Sequence, residues 1–223
     1  LNSFPAEIES PAINYLLADL LLENQLFGAA AVEFEKTAYG YPPHEKSSEA
    51  GYAAVYAYRE HLGAVDPEEM DTVKRDVVRS SLKFADIFPE HEKAAIVLGA
   101  AADDLYGMEE YEQALAAANT LLEVFPDTDV DVIRSARLVI AHSSYELQQY
   151  SEAEAAYLEV LALLPTGDKT RDALVDNLAA SIYKQGELAK AAEDYRGAAD
   201  HFLRVGRMAP TSSIRPTAEY DAA

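Results

Sequence analysis

Ile96, Leu98, Ala101, Ala102 and Leu105 recur with the spacing of one helix face. A turn follows around Tyr106 to Glu110, and Ala114, Leu115, Ala118, Leu121, Leu122 and Phe125 form a second stripe. Two such helices predict a hairpin. The pattern returns with Arg137, Ile140, Ala141 and Ser144, then with Tyr150, Ala153, Tyr157, Val160 and Leu164. Pro42, Pro89, Pro126, Pro165 and Pro210 each follow an apolar helical run and stop it, because proline lacks the amide proton and clashes with the preceding turn. They recur at intervals of roughly 40 residues, the period of two-helix repeats with insertions of variable length.

These signals predict an all-α fold and a single array over 1–223, cut from a longer protein. Its repeats fall at about 8–42, 46–89, 91–126, 130–165 and 169–210, with the start of a sixth at 212–223. The second departs from the pattern, with a first helix around Ser47 to Leu62, a loop through Gly63 and Pro67, and a long second helix from Glu68 to Phe88. The fifth is expected to extend its second helix by about two turns, to Met208.

The stretch from Tyr183 through Gly186 and Ala191 to Tyr195 resembles the helix-turn-helix centre of the tetratricopeptide repeat. Gly186 suits the positive φ at the end of a first helix, Ala191 is small where two helices approach, and Tyr195 fills the gap toward the next hairpin. The same roles fall to Phe27, Ala30 and Phe34, to Tyr111 and Ala114, and to Tyr150, Ala153 and Tyr157. The resemblance covers nearly all of the chain. It implies an α-α superhelix, a solenoid of stacked hairpins whose first helices line a concave face. The long, proline-terminated units further resemble repeats of bacterial envelope-associated proteins, which implies a periplasmic or envelope setting, with the cytoplasm as the alternative.

Composition narrows the partners. Lys and Arg total 18 against 39 Asp and Glu, a formal charge of -21, so the surface repels phosphate backbones and anionic headgroups. Nucleic acid is not expected. The acids are spread along the chain, which suits a uniformly solvated surface, while an attraction for basic peptides is the functional alternative. There is no cysteine, so disulfides, thiol nucleophiles and thiolate metal sites are excluded. The most apolar stretch, Ala12 to Phe34, is interrupted by Asp19, Glu23 and Glu33 and does not read as a membrane span. The chain opens on Leu1-Asn2-Ser3-Phe4-Pro5, not on methionine or a basic region followed by an apolar run, so any signal peptide is expected to lie outside this sequence.

No catalytic constellation, cofactor motif or metal-ligand spacing is present: the five histidines are scattered, and no Gly-rich loop precedes Lys-Ser/Thr. His142 alone falls in a groove position, and reads as a polar surface side chain. Aligning the repeats puts Tyr58, Tyr106, Tyr145 and Tyr183 at one position late in each first helix, which the family resemblance turns toward the concave face. They are either a contact ladder or packing of the inner layer. The same register holds Tyr15, Asp19 and Glu23, then Arg59, Asp103, His142 and Glu146, then Asp176, Asn177 and Lys184. A partner with basic and apolar residues would complement this set. The reading is a protein- or peptide-binding scaffold and not an enzyme. The alternatives are a recruitment module of a larger enzyme and a structural or oligomerisation unit, and the oligomeric state is left open.

Overall fold

The computed structural model describes residues 10–165 and 167–223. The opening Leu1 to Pro5 and the expected start of the first repeat at 8 lie outside them. All regular structure among the described residues is α-helical: α1 (Ser10–Glu23), α2 (Phe27–Tyr39), α3 (Ser47–Leu62), α4 (Met70–Ile87), α5 (Ala94–Gly107), α6 (Tyr111–Val124), α7 (Val130–Glu146), α8 (Tyr150–Leu163), α9 (Arg171–Ala191), α10 (Tyr195–Met208) and α11 (Arg215–Asp221). The chain forms two compact units, one ending at Asp104 and one beginning at Leu105. In the first, α1 to α4 pack each against the next; in the second, α6 to α11 do the same.

The prolines act as the sequence implies. α4, α6, α8 and α10 each end two residues before a proline, at Ile87, Val124, Leu163 and Met208. The intervening Phe88, Phe125, Leu164 and Ala209 leave the helical region, as proline demands of the residue before it. In the second repeat α3 has the expected bounds.

Four hairpin turns share one construction. Gln25, Glu109, Gln148 and Glu193 adopt φ of 61, 62, 60 and 62°. The next amide in each turn reaches back to a carbonyl of the preceding helix: Leu26 to Leu21 at 2.9 Å, Glu110 to Leu105 at 3.0 Å, Gln149 to Ser144 at 2.8 Å, Asp194 to Ala189 at 3.0 Å. This satisfies carbonyls that the helix end leaves unpaired. A side chain in the left-handed region carries a steric cost of about 1–2 kcal/mol that glycine avoids. Gln148→Gly should therefore stabilise the second unit by up to about 1 kcal/mol after the extra freedom of the unfolded glycine is counted. A lower midpoint in urea for the variant would contradict this.

The turns also correct the fifth repeat. Gly186 lies inside α9, and Glu193 takes the positive φ. Glu109, Gln148 and Gly186 each stand three residues after an aligned tyrosine, Tyr106, Tyr145 and Tyr183. In the first two cases the helix stops there, whereas α9 runs on for about two more turns. The extension is thus in the first helix: α10 has 14 residues, as do α6 and α8, while α9 has 21. The roles assigned to Ala191 and Tyr195 pass to residues seven positions later, the buried Ala198 and Phe202. Tyr195 itself is 67% exposed. Gly186 remains necessary for another reason, since a Cβ there would stand 2.5 Å from the Phe202 ring.

Alanine supplies the close approaches. Ala30, Ala114, Ala153 and Ala198 stand three residues into each second helix and are buried. The core of the second unit runs from Ala141 through Tyr157, Leu178, Ile182 and Phe202 to Ala218. Ile96, expected in the α5 stripe, is exposed, while Leu98, Ala101, Ala102 and Leu105 are buried.

Candidate protein-binding face

In the first unit most of the expected contact residues already have partners within the chain. Tyr15 meets the Phe34 ring edge-on at 5.5 Å and has the Lys46 ammonium 5.6 Å from its own ring centre. Burial, followed by the charges of Asp19 and Glu49, pushes its hydroxyl pKa up. The Asp19 carboxyl is also pushed up, by burial and then by Glu23, with Lys46 opposing. Tyr58, at 5% exposure, is a core residue and not an open groove position. Its hydroxyl accepts from Arg79 at 3.1 Å, and the Arg79 guanidinium lies 5.6 Å from the ring centre while pairing with Glu35 and Asp76, both at 3.1 Å. Arg59 pairs with Asp104 at 2.9 Å, and the adjacent Asp103 is exposed. Arg79 and Glu35 were not legible as partners of Tyr58, because they lie on α4 and α2 and no local spacing joins them.

The second unit is more open. Tyr106 and Tyr145 are half-buried near the ends of α5 and α7, five residues before Tyr111 and Tyr150, which begin α6 and α8. Tyr106 and Tyr111 have ring centres 5.6 Å apart, and Tyr145 meets Tyr150 edge-on at 5.3 Å. The recurrence of a tyrosine five residues ahead of another is the signal in the sequence for these pairs.

His142 joins this group and is not a surface histidine. Its ring stacks with Tyr106 at 5.7 Å, and its Nδ1 is 2.7 Å from the hydroxyl of the buried Tyr157. Burial lowers the imidazole pKa, which keeps the ring neutral in its hydrogen bond. Burial also raises the Tyr157 pKa, so that hydroxyl stays protonated. His142 thus holds Tyr106 through its ring and Tyr157 through its hydrogen bond. Glu146, exposed on the last turn of α7, lies near enough for its charge to help raise the pKa of Tyr106, Tyr111, Tyr145 and Tyr157.

The expected residues farther along are held by the chain's own C-terminal segment. Asp176 accepts from the Ser212 hydroxyl at 2.7 Å, the Ser213 amide at 2.9 Å and the Ser213 hydroxyl at 3.2 Å. Those bonds hold its carboxyl below the usual range. The Tyr183 hydroxyl donates to Asp221 of α11, and its ring packs on Phe202 at 5.0 Å. Asn177 is half-buried, and its carbonyl accepts from Ser181 at 3.0 Å. Lys184 pairs with Glu187 at 2.6 Å. The structure therefore brings Tyr106 and His142 into contact, pairs Tyr145 with Tyr150, and engages Asp176 and Tyr183 elsewhere. Among the described residues no group of three or more His, Cys, Asp or Glu could hold a metal, and no helix is long and apolar enough to cross a membrane.

The tetratricopeptide-repeat family profile matches residues 100–168, the span that holds the Glu109 and Gln148 turns. Residues 100–168 carry tetratricopeptide repeats. The same turn at Gln25 and Glu193 extends the repeat geometry beyond the matched span. No curated protein matches the sequence. Among solved structures, the chain is similar to a putative kinesin light chain with nearly identical tetratricopeptide-like repeats from Podospora anserina, at 13% identity, TM-score 0.48, and coverage of 91% of this chain and 99% of that one. It is also similar to the apo form of RapI, at 15% identity and TM-score 0.46, covering 93% of this chain and 56% of that one. The chain thus spans a little over half the length of RapI. PilF of Pseudomonas aeruginosa is similar at 17% identity and TM-score 0.35, with coverage of 96% and 98%. These likenesses have no bearing on what the chain binds.

Proposed function

We propose that this chain is a protein-interaction scaffold that takes an extended or helical segment with basic and apolar residues on the face bearing Tyr106, Tyr111, Tyr145 and Tyr150. Tetratricopeptide repeats generally serve as non-catalytic scaffolds for protein association, and the tyrosine pairs give this one a specific place to do so. The observation that carries the reading is that both pairs stay half-open while the aligned Tyr58 and Tyr183 are taken up by the chain itself. Tyrosine offers large contact area at low entropic cost, with a hydroxyl left to hydrogen-bond. A formal charge of -21 favours a basic partner over an acidic one and raises the rate of encounter. Selection of peptides from a random display library on the immobilised chain tests the reading. Enriched peptides should combine Lys or Arg with apolar residues, and enrichment of acidic sequences would overturn it.

A further inference from the structure

The first unit shows how this chain holds a cation. Arg79 lies over the Tyr58 ring, donates to the Tyr58 hydroxyl and pairs with the Glu35 carboxylate, which is mostly buried. Lys83 stands 3.8 Å from the centre of the Tyr39 ring, and Lys46 covers Tyr15. A tyrosine ring is thus met, in each of these places, by one of the chain's own cations, and at Tyr58 a carboxylate stands beside it.

The second unit builds the same arrangement from Tyr106, Tyr111 and Glu146. The ring centres of Tyr106 and Tyr111 are 5.6 Å apart at an interplanar angle of 51°, a tilted pair at the turn between α5 and α6. His142 stacks on Tyr106 and is itself anchored by its hydrogen bond with Tyr157, which holds the Tyr106 ring in place. Glu146 is exposed and stands one helical turn beyond His142 on the same face of α7, and it takes part in none of the ion pairs found among the described residues. The nearest cation on the Tyr145 side, Lys184, is held by Glu187.

We infer that Tyr106, Tyr111 and Glu146 form a receptor for one lysine or arginine side chain of the bound partner, with Tyr145 at its rim. A cation over a tyrosine face is attracted by the ring quadrupole, and more strongly the further it is removed from water. The carboxylate adds a charge-assisted hydrogen bond that a neutral side chain cannot supply. His142 is a positioning residue, since it touches Tyr106 and not the cation. This inference rests on the proposed binding face, and it assigns the chemistry of one position on it.

The test titrates the full chain with acetyl-Ala-Leu-Ala-Arg-Ala-Leu-Ala-amide and with the same peptide carrying citrulline in place of arginine. Binding is followed at low salt through the NMR signals of the tyrosine rings. The arginine peptide should move the Tyr106, Tyr111 and Tyr145 signals and bind at least fivefold more tightly than the citrulline peptide. Glu146→Gln should erase that ratio, while Glu112→Gln, at an exposed acid on α6, should leave it unchanged. Equal affinity for the two peptides, or a ratio that survives Glu146→Gln, overturns the receptor and leaves the binding face standing. If neither peptide moves these ring signals, the receptor and the face both fall.

Discussion

Phe202→Ala is expected to destabilise the second unit by about 3–5 kcal/mol, the usual cost of removing a fully buried aromatic side chain and leaving its cavity. Phe202 is 1% exposed, packs on Tyr183 and closes against Gly186 where α10 crosses the extended α9. The close contact gives the experiment a second arm. Gly186→Ala alone should destabilise, because the added methyl meets the Phe202 ring at 2.5 Å and overpacking costs about 1–3 kcal/mol, more than the helical gain over glycine. In the Phe202→Ala background the clash is gone, so the same Gly186→Ala change should stabilise by about 0.5–1 kcal/mol. Urea denaturation of the four proteins reads the sign reversal directly. Were Gly186 the left-handed turn residue, alanine would destabilise in both backgrounds.

Arg204→Met is the other large effect. Glu154, at 9% exposure, sits in α8 with Arg204 paired to one carboxylate oxygen and the Gln185 side-chain amide donating to the other at 2.7 Å. Removing the arginine leaves a buried charge with a neutral partner alone, which should cost about 3 kcal/mol. Arg204→Met combined with Glu154→Met should recover most of the loss, because desolvation of an ion pair offsets much of its attraction. A double variant as unstable as the single one would show that the arginine acts through its packing and not through the pair.

These two predictions concern residues that local pattern does not reveal. The helical period, the proline stops and the alanine close approaches follow from short-range rules, so hairpins and their order are readable from the chain. The misplaced turn of the fifth repeat has a physical cause. Tyr183 keeps its aligned position and Gly186 stands where Glu109 and Gln148 turn the chain, so glycine suggests a stop. Seven further residues make about two turns, which returns the helix to nearly the same face and leaves the apolar period undisturbed. A better marker was available: Gln or Glu two residues before an aromatic and five before an alanine recurs at Gln25, Glu109, Gln148 and Glu193. It was obscured because a non-glycine residue is unexpected in the left-handed region.

The proposed binding face is legible in part. Alignment of the first helices points to Tyr106, His142 and Tyr145, of which the first two stack and the third pairs with Tyr150. It does not distinguish them from Tyr58, which is closed by Arg79 from the paired helix α4, or from Tyr183, which is held by α11. His142 looked like a surface residue because its partner, Tyr157, lies on a different helix. Exposure depends on what neighbouring hairpins place over a position, and periodicity within one helix carries no record of that.

The central claim is that the tyrosine pairs of the second unit bind the partner. Its most direct test is the affinity of a selected peptide for the native chain and for the double variant Tyr106→Ala with Tyr145→Ala, measured by calorimetric titration. Both side chains are half-buried at hairpin ends, so the helices should persist, which circular dichroism confirms or refutes in the same samples. Truncation of contact tyrosines at a binding surface costs about 2 kcal/mol or more where they anchor the interface, so affinity should fall at least tenfold. A folded double variant that binds the peptide as tightly as the native chain would contradict the account.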